Sequence, residues 1–243
     1  MRYLIKFSYD GTAYSGYQKQ PHKETIEKKL EEALTSINDN KPTKVCATGR
    51  TDKGVHALMQ YAHVDLDVKI TENKLKRAMN SKLPDDIHVI EAKQVADDFH
   101  ARYNVLLKEY QYLINTGEYN PLDRNYIFQY NHELDVEAMQ QVIDVFIGTH
   151  DFRAFVTQNK EKENCVRTIT NATVEQHGDI IIINFQGDGF LRYQVRNMVG
   201  ILIRVGEGKL SYRDVEKILD NKDRNKTGKT APPEGLYLTR VYY

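Results

Sequence analysis

Six segments at the start of the chain switch between two hydrophobic periods, and their order restricts the fold more than any other feature. Tyr3, Ile5, Phe7 and Tyr9 alternate with mostly polar neighbours, so Arg2 to Tyr9 reads as a strand buried on one face. Thr25 to Ile37 carries Ile26, Leu30, Leu34 and Ile37 at helical spacing. Lys44 to Thr48 and Met59 to Leu66 read as short strands, and Leu75, Met79 and Leu83 mark a second helix that stops at Pro84. Ile87 to Val95 is strand-like again. The order strand, helix, strand, strand, helix, strand is the ferredoxin-like arrangement, βαββαβ.

The second half follows the same plan. Tyr110, Tyr112 and Ile114 share one face of Lys108 to Asn115. Asp135 to Ile147 places Val136, Met139, Ile143, Phe146 and Ile147 on a helical stripe. Val166 to Gln176 and Asp179 to Gly187 form a hairpin around His177-Gly178-Asp179. Leu191 to Val205 reads as a buried helix, Ser211 with Asp214 as the capping box of another, and Leu236 to Tyr242 as a last strand. The expectation is an α+β protein of two ferredoxin-like halves, 1–103 and 104–243. Their sheets would join into one extended mixed sheet, with an active-site cleft between them. The boundary would fall in the polar stretch Ala96 to Asn104, and Asn221 to Glu234 would be a mobile basic loop.

At 40% hydrophobic and 28% charged, the 243 residues can bury a substantial core. The longest apolar runs, Ile180 to Ile183 and Met198 to Ile203, are too short to cross a membrane, and no signal peptide is expected ahead of the first strand. Two cysteines, Cys46 and Cys165, make no disulfide framework and suit a reduced, cytoplasmic setting. The net charge of zero gives no global case for binding nucleic acid. The distribution does: Gly189 to Lys229 holds ten Lys or Arg against five acids, and Phe99 to Lys108 holds His100, Arg102 and Lys108 with no acid. One basic face on a neutral protein could track a phosphate backbone. Sixteen tyrosines could add rings for unpaired bases, although most tyrosines pack in cores.

The residues with the most chemistry are Gly49-Arg50-Thr51-Asp52-Lys53-Gly54-Val55-His56-Ala57. Asp52 stands between two glycines that permit tight bending and between cations that favour its ionised form and attract a polyanion. Read alone, the segment is also what a polar turn looks like. Other chemistries fit less well. Cys46, His56 and His63 match no zinc spacing, so no metal site is expected. His150-Asp151 lacks a nucleophile, and the loop lacks the Lys-Ser/Thr ending of a phosphate-binding loop. Arg192 and Arg196, four apart, would share a helical face and offer a buried carboxylate its cation.

Several motifs recur in one known order. They are Tyr9-Asp10-Gly11-Thr12, Gly16-Tyr17-Gln18, the Asp52 segment, Lys108-Glu109-Tyr110-Gln111-Tyr112 and Gly148-Thr149-His150-Asp151-Phe152. Gly189-Phe190-Leu191, Val195-Arg196-Asn197, Gly206-Glu207-Gly208 and Ala231-Pro232 follow. In these the chain resembles the tRNA pseudouridine synthase A family nearly end to end. The resemblance implies that Asp52 is the catalytic acid of uridine isomerisation, that Tyr110 stacks on the target base and that Arg196 pairs with Asp52. It further implies that Leu191 packs against the site and Arg50 contacts the RNA. The family acts on the tRNA anticodon stem-loop, as a homodimer and without a cofactor; no membrane is involved. Tyr17 departs from the usual Trp, and Arg192-Tyr193-Gln194 from runs that end in Met, which leaves open a paralogue with a different target uridine. A non-catalytic RNA-binding or folding protein, and an N-glycosidase that releases the base, are the other readings.

Overall fold

The computed structural model describes residues 1–156 and 164–243. In chain order the first elements are β1 (Arg2–Tyr9), α1 (Ile26–Ile37), β2 (Val45–Ala47), β3 (His56–Asp65), α2 (Glu72–Asn80) and β4 (Ile87–Val95). Then come β5 (Leu107–Asn115), β6 (Phe128–Gln129), α3 (Val136–Ile143), β7 (Gly148–Asp151), β8 (Val166–His177) and β9 (Ile180–Gly187). The last are α4 (Gln194–Gly206), α5 (Tyr212–Asn221) and β10 (Leu236–Tyr242). The expected α+β class holds, with pairings both parallel and antiparallel. By compactness the chain forms two units, Met1–Leu106 with Tyr237–Tyr243, and Leu107–Leu236.

In the first unit β1 runs antiparallel between β3 and β4, and β2 pairs with the end of β3, giving the ferredoxin-like order β4-β1-β3-β2. The alternation of β1 is a burial pattern: Tyr3, Ile5, Phe7 and Tyr9 are each at most 4% exposed. Ile26, Leu30 and Leu34 of α1 and Leu75 and Met79 of α2 are buried as well. Each such side chain contributes roughly 1.5–3 kcal/mol. Thr25 caps α1 by accepting from the Lys28 N–H. β3 begins at His56, three residues before its alternation suggests. Its first residues are paired in parallel with β10, Tyr237 with His56 and Leu238 with Ala57, a partner that local periodicity cannot reveal.

In the second unit β5, β9, β8 and β7 lie in that order with antiparallel pairings, and β6 runs parallel to the end of β5. Ser211 and Asp214 cap α5 reciprocally, as their spacing predicts. The buried helix α4 starts at Gln194 instead of Leu191, because Tyr193 sits in the left-handed region at φ 65°. Arg192 therefore lies outside the helix and shares no helical face with Arg196.

Asn221 to Glu234 is a strap tied to α4, not a loose loop. The Arg224 guanidinium donates to Asn197 Oδ1, Thr230 Oγ1 and the Gly228 carbonyl, each at 3.1 Å. Thr227 and Ala231 are buried. The strap passes so close to α4 that a Cβ on Gly200 would come within 2.2 Å of the Lys229 carbonyl oxygen. The stretch is polar, and its composition suggests mobility, but many of its polar groups are satisfied by α4 and by one another.

His63 on β3 gives the fold a pH dependence. Burial first, then the charges of Arg2 and His100, hold its pKa below the ordinary value. A histidine whose folded pKa lies below its unfolded value stabilises fully above about pH 6.5 and loses that contribution as the pH falls. Urea midpoints should therefore fall between about pH 7.5 and about pH 5.5, and less so in His63→Gln. Equal slopes in the two proteins would exclude His63 as the source.

Candidate active site

The Asp52 segment is the connection between β2 and β3, and the N-terminal loop holds it from several sides. Its turn closes through the Val55 N–H, which donates to the Asp52 carbonyl at 3.2 Å. Gly54 supplies the left-handed residue at φ 78°. Gly49 does not take that conformation, so only one of the two bracketing glycines is used as the sequence suggested. The Tyr17 N–H donates to the Thr51 carbonyl at 3.1 Å, and the Tyr9 hydroxyl lies 2.8 Å from Thr51 Oγ1. Burial pushes the Tyr9 phenol well up, so it stays neutral and hydrogen-bonding. Gln60 Nε2 donates to the Gly49 carbonyl at 3.0 Å.

Two glycines of the N-terminal loop make this fit possible. A Cβ on Gly11 would stand 2.0 Å from the Val55 carbonyl oxygen. One on Gly16, at φ 97°, would stand 3.0 Å from the Thr51 carbonyl oxygen and 3.3 Å from the Asp52 carbonyl carbon. His56 completes the clamp. Its Nδ1 accepts from the Gly11 N–H at 3.1 Å, Asp10 Oδ1 lies equally near, and its ring stacks on Tyr237 at 4.8 Å. Asp52 is thus half-buried on a fixed backbone, with Arg50 and Lys53 exposed beside it. The motifs around Tyr9 and Gly16 were visible in sequence, but their packing against Asp52 was not.

The other expected residues lie in the second unit. Tyr110 on β5 is only 8% exposed, and the Phe190 ring meets it edge to face at 5.1 Å. Leu191, next to Phe190, is half-buried, and its N–H donates to Gln194 Oε1 at 2.8 Å. Arg196, in the first turn of α4, is held from both ends. Its Nε donates to the Ala231 carbonyl at 2.7 Å, and its own carbonyl accepts from the Ala231 N–H at 3.1 Å. The Tyr193 ring lies 5.4 Å from its guanidinium carbon. The structure therefore groups Asp52 with Arg50 on one loop, and places Tyr110 beside the residue that precedes Leu191.

Both departures from the family pattern leave a buried polar atom without a hydrogen-bond partner: the Tyr17 hydroxyl and Gln194 Nε2. Tyr17 is 1% exposed and Gln194 0%. Desolvating a hydroxyl without a compensating bond costs about 1–3 kcal/mol. Tyr17→Phe should thus stabilise the protein by about 1 kcal/mol, raising the melting temperature by about 2–4 °C. A lowered melting temperature would mean that the hydroxyl has a partner in solution.

One side-chain cluster has the composition of a metal site. The ligating atoms of Cys46, His63 and His100 lie within 4.8 Å of one another, although His56, considered with Cys46 and His63 on sequence grounds, is not among them. The wiring of both rings opposes metal binding. His63 Nδ1 accepts from the Ala101 N–H at 3.1 Å, and His100 Nδ1 from the Arg102 N–H at 3.2 Å. Both protons therefore sit on Nε2, whereas a ligating histidine keeps one nitrogen bare and donates from the other.

The signature of the tRNA pseudouridine synthase family matches residues 5–104 and 142–243. The chain belongs to that family, a class of isomerases that act on tRNA. Within the class it is similar to proteins named tRNA pseudouridine synthase A from Streptococcus pneumoniae. Those of strain 70585 and of the serotype 4 strain TIGR4 are each 42% identical over 245 residues, covering 100% of this chain and 98% of theirs. A distant likeness, at 14% identity and a TM-score of 0.31, is to a solved Cbf5-Nop10-Gar1 complex, covering 82% of this chain and 54% of that one. Among the described residues no helix is long and apolar enough to cross a membrane.

Proposed function

We propose that Asp52 carries the isomerisation of uridine to pseudouridine on a nucleotide flipped out of the tRNA anticodon stem-loop. The observation that supports it best is the clamped Asp52 turn: a half-buried carboxylate on a backbone fixed by Tyr9, Tyr17, Gln60 and His56, flanked by exposed cations. The reaction breaks the N1–C1′ bond, turns the uracil, joins C5 to C1′ and moves a proton from C5, with N1 ending protonated. Atoms and electrons balance within one nucleotide, so the chemistry calls for no cofactor. A carboxylate can assist by adding to an intermediate or by removing the C5 proton. The reacting atoms are reached only after flipping, which costs a few kcal/mol. In the same proposal Tyr110 stacks on the target base, Arg196 supplies the fixed cation, Leu191 packs against the base and Arg50 meets a phosphate. The protein works as a homodimer in the cytoplasm.

Mapping pseudouridine in unmodified tRNA transcripts incubated with the purified protein tests this reading. Appearance of the base in the anticodon stem-loop supports it. Binding without conversion points to a folding protein, release of free uracil to an N-glycosidase, and conversion elsewhere to a different target.

A further inference from the structure

Beyond the Asp52 loop, the first unit displays an aromatic ring and a cation on a loop whose backbone is held with unusual completeness. The loop is Phe99 to Asn104. The Phe99 carbonyl accepts from Arg2 Nη1 at 2.9 Å, and the His100 N–H donates to Asn104 Oδ1 at 2.6 Å. The Ala101 N–H is taken by His63 Nδ1, and the Ala101 carbonyl by the Tyr243 hydroxyl at 2.9 Å. Ala101 itself is 0% exposed. Yet Tyr103, two residues on, is 77% exposed, the second most exposed large hydrophobic side chain among the described residues. Its ring stacks on His100 at 4.2 Å and 28°, so one face is fixed from beneath while the rest stays open. His100 is itself set by the Arg102 N–H and by Cys46 Sγ 3.6 Å from its Nε2.

Charges of both signs lie near this ring, since the exposed Asp97 and Asp98 stand just before the loop. Arg2 is paired with Asp65, but Arg102 and Arg50 are exposed and make no ion pair among the described residues. The loop is also tied to the Asp52 segment. The hydroxyl of Tyr243 reaches both the Ala101 carbonyl and, at 2.6 Å, Oγ1 of Thr48, the residue before that segment. Thr48 is four residues from Asp52, a span of at most about 14 Å.

We propose that Tyr103 and Arg102 form a docking ledge for an unpaired nucleotide of the RNA substrate away from the target uridine, the ring stacking on its base and the guanidinium meeting its phosphate. Every base has a face that stacks on an aromatic ring, so the ledge positions the RNA and does not read its sequence. A rigid support suits that task, because a ring already held in place loses little freedom on binding. An unpaired nucleotide fits better than a duplex end, since a single base can lie over one exposed ring. This inference takes tRNA as substrate but does not depend on the role of Asp52.

The test measures the dissociation constant of the full chain for a tRNA transcript, alongside KM and kcat for pseudouridine formation. Tyr103→Ala should weaken binding and raise KM about tenfold with kcat little changed, and Tyr103→Phe should restore both. Arg102→Gln should lower the slope of log affinity against log salt by about one. Because Tyr103 is exposed, melting temperatures should stay close to that of the unaltered protein. Unchanged binding in Tyr103→Ala, or loss in Tyr103→Phe equal to that in Tyr103→Ala, overturns the ledge. The binding arm decides this even if the protein makes no pseudouridine, an outcome that would count against the proposed activity alone.

Discussion

Asp52→Asn should remove pseudouridine formation, lowering the single-turnover rate by at least about 10³-fold while tRNA affinity changes less than about threefold. The asparagine has nearly the same shape, and several contacts that hold the turn are made by its neighbours. The Thr51 carbonyl is held by the Tyr17 N–H, Thr51 Oγ1 by Tyr9, and the Gly49 carbonyl by Gln60. None of them needs a charge at position 52. What the substitution removes is the ability to take or give a proton or to add to the substrate. Binding, by contrast, draws on many phosphate contacts, each a small share of the total. Single-turnover assays on a transcript, with filter binding of the same protein, separate the two quantities. Turnover within tenfold of the unaltered protein would remove Asp52 from the catalytic role.

Gly11→Ala should damage both the stability of the protein and its turnover. Its Cβ would lie 2.0 Å from the Val55 carbonyl oxygen, a backbone atom that cannot rotate away. Relief requires the N-terminal loop and the Asp52 turn to separate, and Val55 is the residue whose N–H closes that turn. Overpacking of this kind costs about 1–3 kcal/mol, read as a lower urea midpoint. A displacement of about 1 Å at a catalytic group costs about 10²-fold in turnover. Turnover should therefore fall further than the loss of folded protein explains. A fall in stability with kcat intact would mean that the turn rides with the loop instead of parting from it.

Features written in local periodicity were legible in the sequence. The alternation of Tyr3 to Tyr9, the stripe of α1 and the Ser211–Asp214 box appear where expected, because each depends on residues a few positions apart, whereas α2 ends at Asn80 and leaves Leu83 outside it. Features fixed by distant partners, or by one residue's left-handed backbone, were not. The start of β3 depends on β10, the start of α4 on the left-handed Tyr193, and the order in Asn221 to Glu234 on Asn197. At the site, Asp52 and Arg50 stood out through their neighbours. The contribution of Gly11, Gly16 and His56 is steric and could be seen only once the loops were placed against each other. Tyr103 gave no pattern at all, since a single exposed tyrosine looks the same in sequence whether its loop is loose or pinned.

The parallel pairing of β10 with the start of β3 has a consequence for how the protein comes into being. Tyr237 stacks on His56, and the last strand belongs by its contacts to the unit built from the first 106 residues. On the ribosome that unit emerges early but stays open along one edge of β3 until about 130 further residues have been made. The clamp beside Asp52 closes only after Tyr237 has been made. Residues 1–106 alone would carry an unpaired edge at the base of the Asp52 loop and tend to associate through it. The loop that carries Asp52 is therefore completed by a strand that follows the whole second unit in the chain.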